Sequence, residues 1–327
     1  MTPTFNPDLS AVLPLPAAES WPPVKHQFDA RSVWAVRAAL AARRPLLVRG
    51  EPGIGKSQLA RAAAYVLKVP FLFQVINAAT ECGDLLFTYD AVSRLAQAQV
   101  LSAAGQTANW EERLADERFV RPGVLWWAFD WNSAKEQAER FCCPCLEPAH
   151  PEDWSPGQGC VVLIDEIDKA DSDVPNSLLE SLGNSGFQVP LAGRGVALPE
   201  KAVNPLVIIT TNEERELPAA FVRRCLVLHL GLPEKEDEQQ EFLLSRGRVQ
   251  FGNDVGSDEV YRRVARQLRE DRQAAREKGQ ALPGAAEYLD LLRALVELHP
   301  GDESAQLAAL SEIRGFAFRK YSGEPSA

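Results

Sequence analysis

The chain has 327 residues, 46% of them hydrophobic, enough to bury one large domain and a smaller one, which excludes a disordered or fibrous polymer. Its 45 acidic against 35 basic side chains give a formal net charge of -10, which disfavours sequence-independent contact with a nucleic-acid backbone. No apolar run reaches the roughly 18 residues of a membrane helix, the proline-broken start lacks a basic leader, and six cysteines make no secreted disulfide framework, so the expectation is a cytoplasmic protein with reduced thiols and no membrane partner.

Residues 1–27 carry several prolines and no apolar periodicity, which predicts an extended arm. From Asp29 a helical stretch, ARSVWAVRAALAARR, leads into the apolar strand PLLVRG, and a helix opens within GEPGIGKS and continues through SQLARAAAYVL. A second strand, FLFQVI at 71–76, precedes a stretch to about residue 157 that is too long for a simple crossover, since structureless loops rarely exceed about 15 residues. An insertion is predicted there, at about 83–157. The runs CVVLIDE at 160–166 and PLVIITTN at 205–212 are nearly uninterrupted apolar sequence, as a strand buried on both faces requires, and CLVLHLGL at 225–232 is a candidate fifth strand. Strands alternating with helices predict a parallel α/β sheet covered on both faces. After Pro233 the pattern turns to charged helical periodicity, which predicts a separate helical subdomain over 233–321 and a short tail at 322–327.

Four segments carry chemistry. GEPGIGKS, residues 50–57, fits GxxxxGK(S/T) between an apolar strand and a helix. Its glycines turn backbone N–H groups toward a polyphosphate and the helix N-terminus adds its positive end. Gly50, Glu51, Pro52, Gly53, Ile54, Gly55, Lys56, Ser57 and Gln58 are therefore the expected nucleotide-binding residues, with Lys56 on the β and γ phosphates and the Ser57 hydroxyl on Mg2+. VVLIDEID ends a strand in two carboxylates: Asp165 is expected to hold Mg2+ through its water shell and Glu166 to orient and polarise an attacking water. Asn212, just past the next buried strand, is placed to hydrogen-bond that water and a phosphate oxygen. LPAAFVRRC offers Arg223 and Arg224 as transition-state guanidinium groups, the alternative being a surface basic pair.

In this order and spacing the four motifs resemble AAA+ ATPases, and in detail the MoxR group. LIDEIDKADSDVPNSLLESLGNSGFQVP is similar to that group's acidic strand and pore-lining helix, and FVRRC to its arginine-finger segment, with Arg224 the better positional match. The likeness covers residues 28 to about 300. It implies a P-loop NTPase three-layer αβα sandwich at 28–232 followed by a smaller all-α lid, with ATP and Mg2+ as cofactors. It also implies a ring-forming homo-oligomer, hexameric by expectation, whose partner is a protein of the kind that carries a von Willebrand factor A domain. GDLLFTYDAVSRLAQAQ and RFVRPGVLWWAF resemble the helix-2 insertion of the clade that also contains McrB-like motors.

Three features stay open at this level. Trp126, Trp127 and Trp131 are either packing or a binding surface. Where the family has a lid arginine, LPGAAEYLDLL has Glu287, so either another arginine such as Arg262 or Arg263 takes the role, or ATP hydrolysis is coupled to lid motion differently. The CxxC of Cys142 and Cys145, with His150 and Cys160 downstream, is either ordinary thiols or half of a zinc site. The readings that follow are an ATP-driven remodeller, a nucleotide-dependent assembly switch or scaffold with weak hydrolysis, and a GTP-driven nucleic-acid motor, which the acidic balance disfavours.

Overall fold

A computed structural model describes residues 4–18, 21–103, 109–143 and 145–318; the 322–327 tail, the first three residues of the arm and Pro144 lie outside them. The apolar runs form one five-stranded parallel sheet. Its strands are β1 (Leu46–Arg49), β2 (Phe71–Val75), β3 (Val161–Asp165), β4 (Leu206–Thr211) and β5 (Leu226–His229), in the spatial order β5-β1-β4-β3-β2. β4 is parallel to both β1 and β3, with Thr211 opposite Arg49 and Ile209 opposite Ile164, and β2 is parallel to β3, with Val75 opposite Asp165. Every residue of β3 and β4 is buried, which is why both segments lack alternation: a central strand under helices has no solvent face. With helices around the sheet and four helices after it, this is the P-loop NTPase fold with a C-terminal helical subdomain.

By internal contacts the chain falls into two compact units, one of residues 1–7, 30–49 and 60–228, the other of 8–29, 50–59 and 229–327. In the first, the described residues of 83–157 carry helices and strands of their own. Phe87–Tyr89 pairs antiparallel with Val120–Pro122, and helices Ala91–Ala103, Val124–Phe129 and Trp131–Arg140 surround the pair in sequence. Gly123 turns between strand and helix where a Cβ would stand 2.6 Å from the Leu85 carbonyl oxygen, so only glycine fits. Trp126, Trp127 and Trp131 are buried and join one core with Leu72, Val162, Ile164 and Phe221. Trp126 donates to the Ser133 hydroxyl at 3.1 Å, Trp131 donates to Glu147 at 2.7 Å, and Trp127 meets Trp131 edge-on at 5.1 Å. Trp131 in turn meets Trp154 at 4.6 Å beside a cavity of about 410 Å³. Packing accounts for these rings. After helix Asp173–Asn184, a second hairpin pairs Gly186–Val189 with Arg194–Ala197.

The second unit is built on helices Glu236–Phe251, Asp258–Glu277, Ala285–Leu298 and Glu303–Phe318. On Asp258–Glu277 the buried residues Val260, Tyr261, Val264, Leu268, Asp271 and Ala275 recur at helical spacing, and Ser257 caps the N-terminus by accepting from the Val260 N–H at 3.3 Å. Val260, Tyr261, Val264 and Leu268 pack with Leu243, Tyr288, Leu291, Leu295 and Leu310. Part of the expected arm lies in this unit as an antiparallel pair, Leu13–Leu15 with Val24–His26. Among the described residues no helix is long and apolar enough to cross a membrane.

Candidate active site

The acidic site stands where β3 and β4 end. Asp165 closes β3, and Thr210, fully buried on β4, donates its hydroxyl hydrogen to the Asp165 carboxylate. The same hydroxyl oxygen accepts the Glu166 N–H at 2.9 Å, so one threonine fixes both acids. Glu166 sits in the left-handed region at φ 61°, ψ 47°, a conformation that costs a non-glycine residue roughly 1 kcal/mol or more and persists because its N–H is tied down. Both oxygens of its carboxylate have partners: Asn212 donates to Oε1 at 3.1 Å and Lys169 to Oε2 at 2.6 Å. The hydrogen bond to Glu166 is the main influence holding the Lys169 ammonium charged beyond its ordinary range, with Glu166, Glu214 and Asp168 adding and burial opposing. Asp168 is itself buried and accepts the Glu214 N–H at 3.0 Å, while Glu213, also left-handed, pairs with Arg49 at 3.2 Å. Asp165, Glu166 and Asn212 are thus brought together; Thr210 and Lys169 complete the group and escaped the sequence reading. Lys169 had one signal, its position three residues after Glu166.

Arg223 and Arg224 end the short helix Ala219–Arg224 and are exposed. Among the described residues neither guanidinium has an ion pair, and the fixed part is the backbone, whose carbonyls at Arg223 and Arg224 accept from Arg44. Arg44 therefore steadies the helix end and leaves both side chains facing outward.

The GEPGIGKS segment follows Arg49, which is in register with Thr211, so the chain leaves β1 at the sheet edge where β4 also ends. Three glycines hold positive φ, Gly50 at 149°, Gly53 at 74° and Gly55 at 103°. At two of them the chain is too close for any side chain: a Cβ on Gly50 would stand 1.8 Å from the Leu230 carbonyl oxygen and one on Gly53 would stand 2.1 Å from the Ala286 Cβ. The helix Lys56–Leu67 then begins, with first-turn N–H groups of the kind that receive phosphate. Buried Lys56 folds its ammonium back onto the loop, donating to the carbonyls of Gly50 at 2.7 Å and Glu51 at 2.9 Å. Both partners are neutral carbonyls, acceptors that phosphate oxygens can replace. Ile54 is buried and Pro52 exposed, while Ser57 and Gln58 are half-buried at the helix start.

Two expectations about the helical part gain physical content. Glu287 is an N-capping residue: its carboxylate accepts the Gly284 N–H at 2.9 Å and starts the helix Ala285–Leu298. Of the two arginines expected to stand in for a lid arginine, Arg262 turns to Asp258 on its own helix at 3.6 Å. Another arginine, Arg272, reaches the phosphate loop, with its two terminal nitrogens on Glu51 at 2.9 and 2.7 Å. Among the described residues no group of three or more His, Cys, Asp or Glu gathers as a metal site. Cys142 lies 3.7 Å from Cys143, His150 packs on Trp131 and Trp154, and burial pushes the Cys160 thiol up to about 12.

Residues 45–225, more than half of the chain, match the AAA domain family of the dynein-related subfamily. Solved structures resemble it at low identity. The Thermotoga maritima RuvB Holliday junction branch migration motor is 15% identical with a TM-score of 0.45, covering 86% of this chain and 67% of its own. A single-substitution mutant of the same protein gives 13% and 0.46 over 87% and 68%, and a candidate ATPase from Cytophaga hutchinsonii gives 12% and 0.36 over 85% and 78%. No curated protein matches the sequence significantly.

Proposed function

The chain belongs to the AAA domain family, dynein-related subfamily, and from that membership and the arrangement around Glu166 we propose that it is a Mg2+-dependent ATPase of the MoxR kind, working as an oligomeric ring that remodels or activates a partner protein. The observation that carries the reading is Glu166, held at the end of β3 with Asn212 on one carboxylate oxygen and Lys169 on the other. A carboxylate so fixed has one orientation in which to align a water and accept its proton. ATP supplies a phosphoanhydride and Mg2+ the charge that offsets its phosphates. The backbone N–H groups of residues 50–58 other than Pro52 would receive the phosphates, Lys56 would give up the loop carbonyls for phosphate oxygens, and Ser57 and Asp165 would hold the cation. Asn212 then holds the attacking water against Glu166.

Exposed Arg224, with Arg223 beside it, favours a finger lent to a neighbouring subunit, six to a ring by the usual habit of the family. The partner, of the von Willebrand factor A type, follows from the MoxR likeness alone. The decisive comparison is Arg224→Ala in the assembled state: nucleotide binding is kept and turnover falls at least about tenfold, whereas unchanged turnover would remove the inter-subunit mechanism. A second reading, an assembly switch with weak hydrolysis, is favoured by one observation, the use of Glu287 as a helix cap where an arginine was expected. Phosphate release above roughly one per minute per chain counts against it. Competition between ATP and GTP decides against or for a GTP-driven motor.

A further inference from the structure

We infer that Arg272 is the counter-charge of the phosphate loop: its guanidinium neutralises Glu51 so that a polyphosphate anion can settle on GEPGIGKS. The inference rests on the nucleotide reading above and deepens it.

Glu51 is the second residue of the loop and places a carboxylate beside a site that must attract phosphate. Its backbone carbonyl accepts from the Lys56 ammonium at 2.9 Å, so the residue that bears this acid also holds the lysine that phosphates must recruit. Left unpaired, the carboxylate would repel the ligand and compete for Lys56. Arg272 closes on it as a fork, 2.7 Å to one oxygen and 2.9 Å to the other, and its third contact, 2.6 Å to the Pro283 carbonyl, fixes the guanidinium. The arginine side chain is only 11% exposed against 38% for Glu51, so the positive member is the shielded one and its position is set by the protein. Bidentate pairing of this kind is strong and directional.

The surroundings are built for the contact. Pro283 and Gly284 lead into the helix Ala285–Leu298, and Gly53 lies so close to Ala286 that a methyl group there would overlap it. A Cβ on Gly284 would stand 3.5 Å from both the Glu51 carboxylate and the Pro52 carbonyl. The loop from Glu51 to Gly53 is therefore seated against the segment from Pro283 to Ala286, and Arg272 ties the two by touching both. That helix start uses Glu287 for its own cap, and the positive charge comes from the preceding helix instead. Arg272 is a positioning residue: it acts on the ligand through Glu51.

The test is equilibrium binding of a fluorescent ATP analogue to the intact chain, with turnover measured in parallel. Arg272→Ala should weaken binding about tenfold, raise KM by a similar factor and leave kcat at saturation within about threefold, with a penalty that shrinks as salt is raised. Adding Glu51→Gln to Arg272→Ala should bring affinity back to within about threefold of the wild type, and Arg272→Lys, which keeps the charge, should do the same. A purely structural brace gives the opposite pattern: the second substitution does not rescue, and Lys fails as Ala does. Either of those results, or Arg272→Ala binding within about twofold of wild type, overturns the inference. Should Arg272→Ala fail to fold by thermal melting, Arg272→Gln carries the same comparison. Lys56→Ala separates this from the parent reading: if it still binds the analogue, the nucleotide site itself is wrong, whatever Arg272 does.

Discussion

Thr210→Val removes one oxygen from the interior of β4 and changes almost nothing else in size. The lost hydroxyl donates to Asp165 and accepts the Glu166 N–H at 2.9 Å, and Thr210 is fully buried, so water has no path to replace it. A hydrogen bond to a charged group contributes about 1.5–3 kcal/mol and a neutral one about 0.5–1.5 kcal/mol. The expected destabilisation is therefore about 2–4 kcal/mol, read as a lower denaturation midpoint in urea by the fluorescence of the buried tryptophans. A catalytic signature should accompany it, because the N–H bond holds Glu166 at φ 61°. Released, Glu166 relaxes toward ordinary backbone and kcat falls at least about tenfold while nucleotide affinity stays. Thr210→Ser keeps the hydroxyl and should keep most of both properties. A valine variant within about 0.5 kcal/mol of wild type and equally active would refute the bridging role.

His26 predicts a pH dependence. Burial first, then the charge of Arg246, lowers its pKa from 6.5 to about 3, against the opposing pull of Asp29. The folded pKa lies below the unfolded one, so the stabilisation is complete above pH 6.5 and is lost as pH falls toward 3, by up to about 1.4 kcal/mol per unit. His26→Leu should flatten the acid limb of a stability profile between about pH 6 and 4, and an unchanged slope would exclude the buried neutral imidazole. Gly53→Ala puts a methyl group 2.1 Å from the Ala286 Cβ on a backbone at φ 74°, and should weaken nucleotide binding at least about tenfold with a lower melting temperature; binding as tight as wild type would count against the seated loop.

Legibility in the sequence followed burial and backbone demands. β3 and β4 announced themselves because burial on both faces leaves unbroken apolar runs at 161–164 and 206–209, and GEPGIGKS because two of its glycines have no room for a Cβ. The 83–157 region was visible only as excess length. Its helix Ala91–Ala103 exposes Val92, Leu95 and Val100, which blurs the amphipathic pattern, and its strands are three residues long. The pair Leu13–Leu15 and Val24–His26 is hidden for the same reason, three residues being too few to show a period among prolines. Thr210 read as one more β-branched strand residue, since nothing local reveals which hydroxyl faces an acid on the next strand. Arg272 meets Glu51 across 221 positions of chain, in a helix whose several arginines look alike until the fold selects one. Asp165, Glu166 and Asn212, which the fold gathers, stood out in the sequence; Thr210 and Lys169, which hold them, did not.

Glu166 is proposed to align the water that cleaves ATP. The most direct measurement pairs ATP binding with phosphate release for Glu166→Gln and wild type at saturating Mg2+. The variant should keep wild-type affinity, lose turnover at least about a hundredfold, and yield uncleaved ATP when the bound nucleotide is recovered. Glu166→Gln releasing phosphate at the wild-type rate would contradict that role.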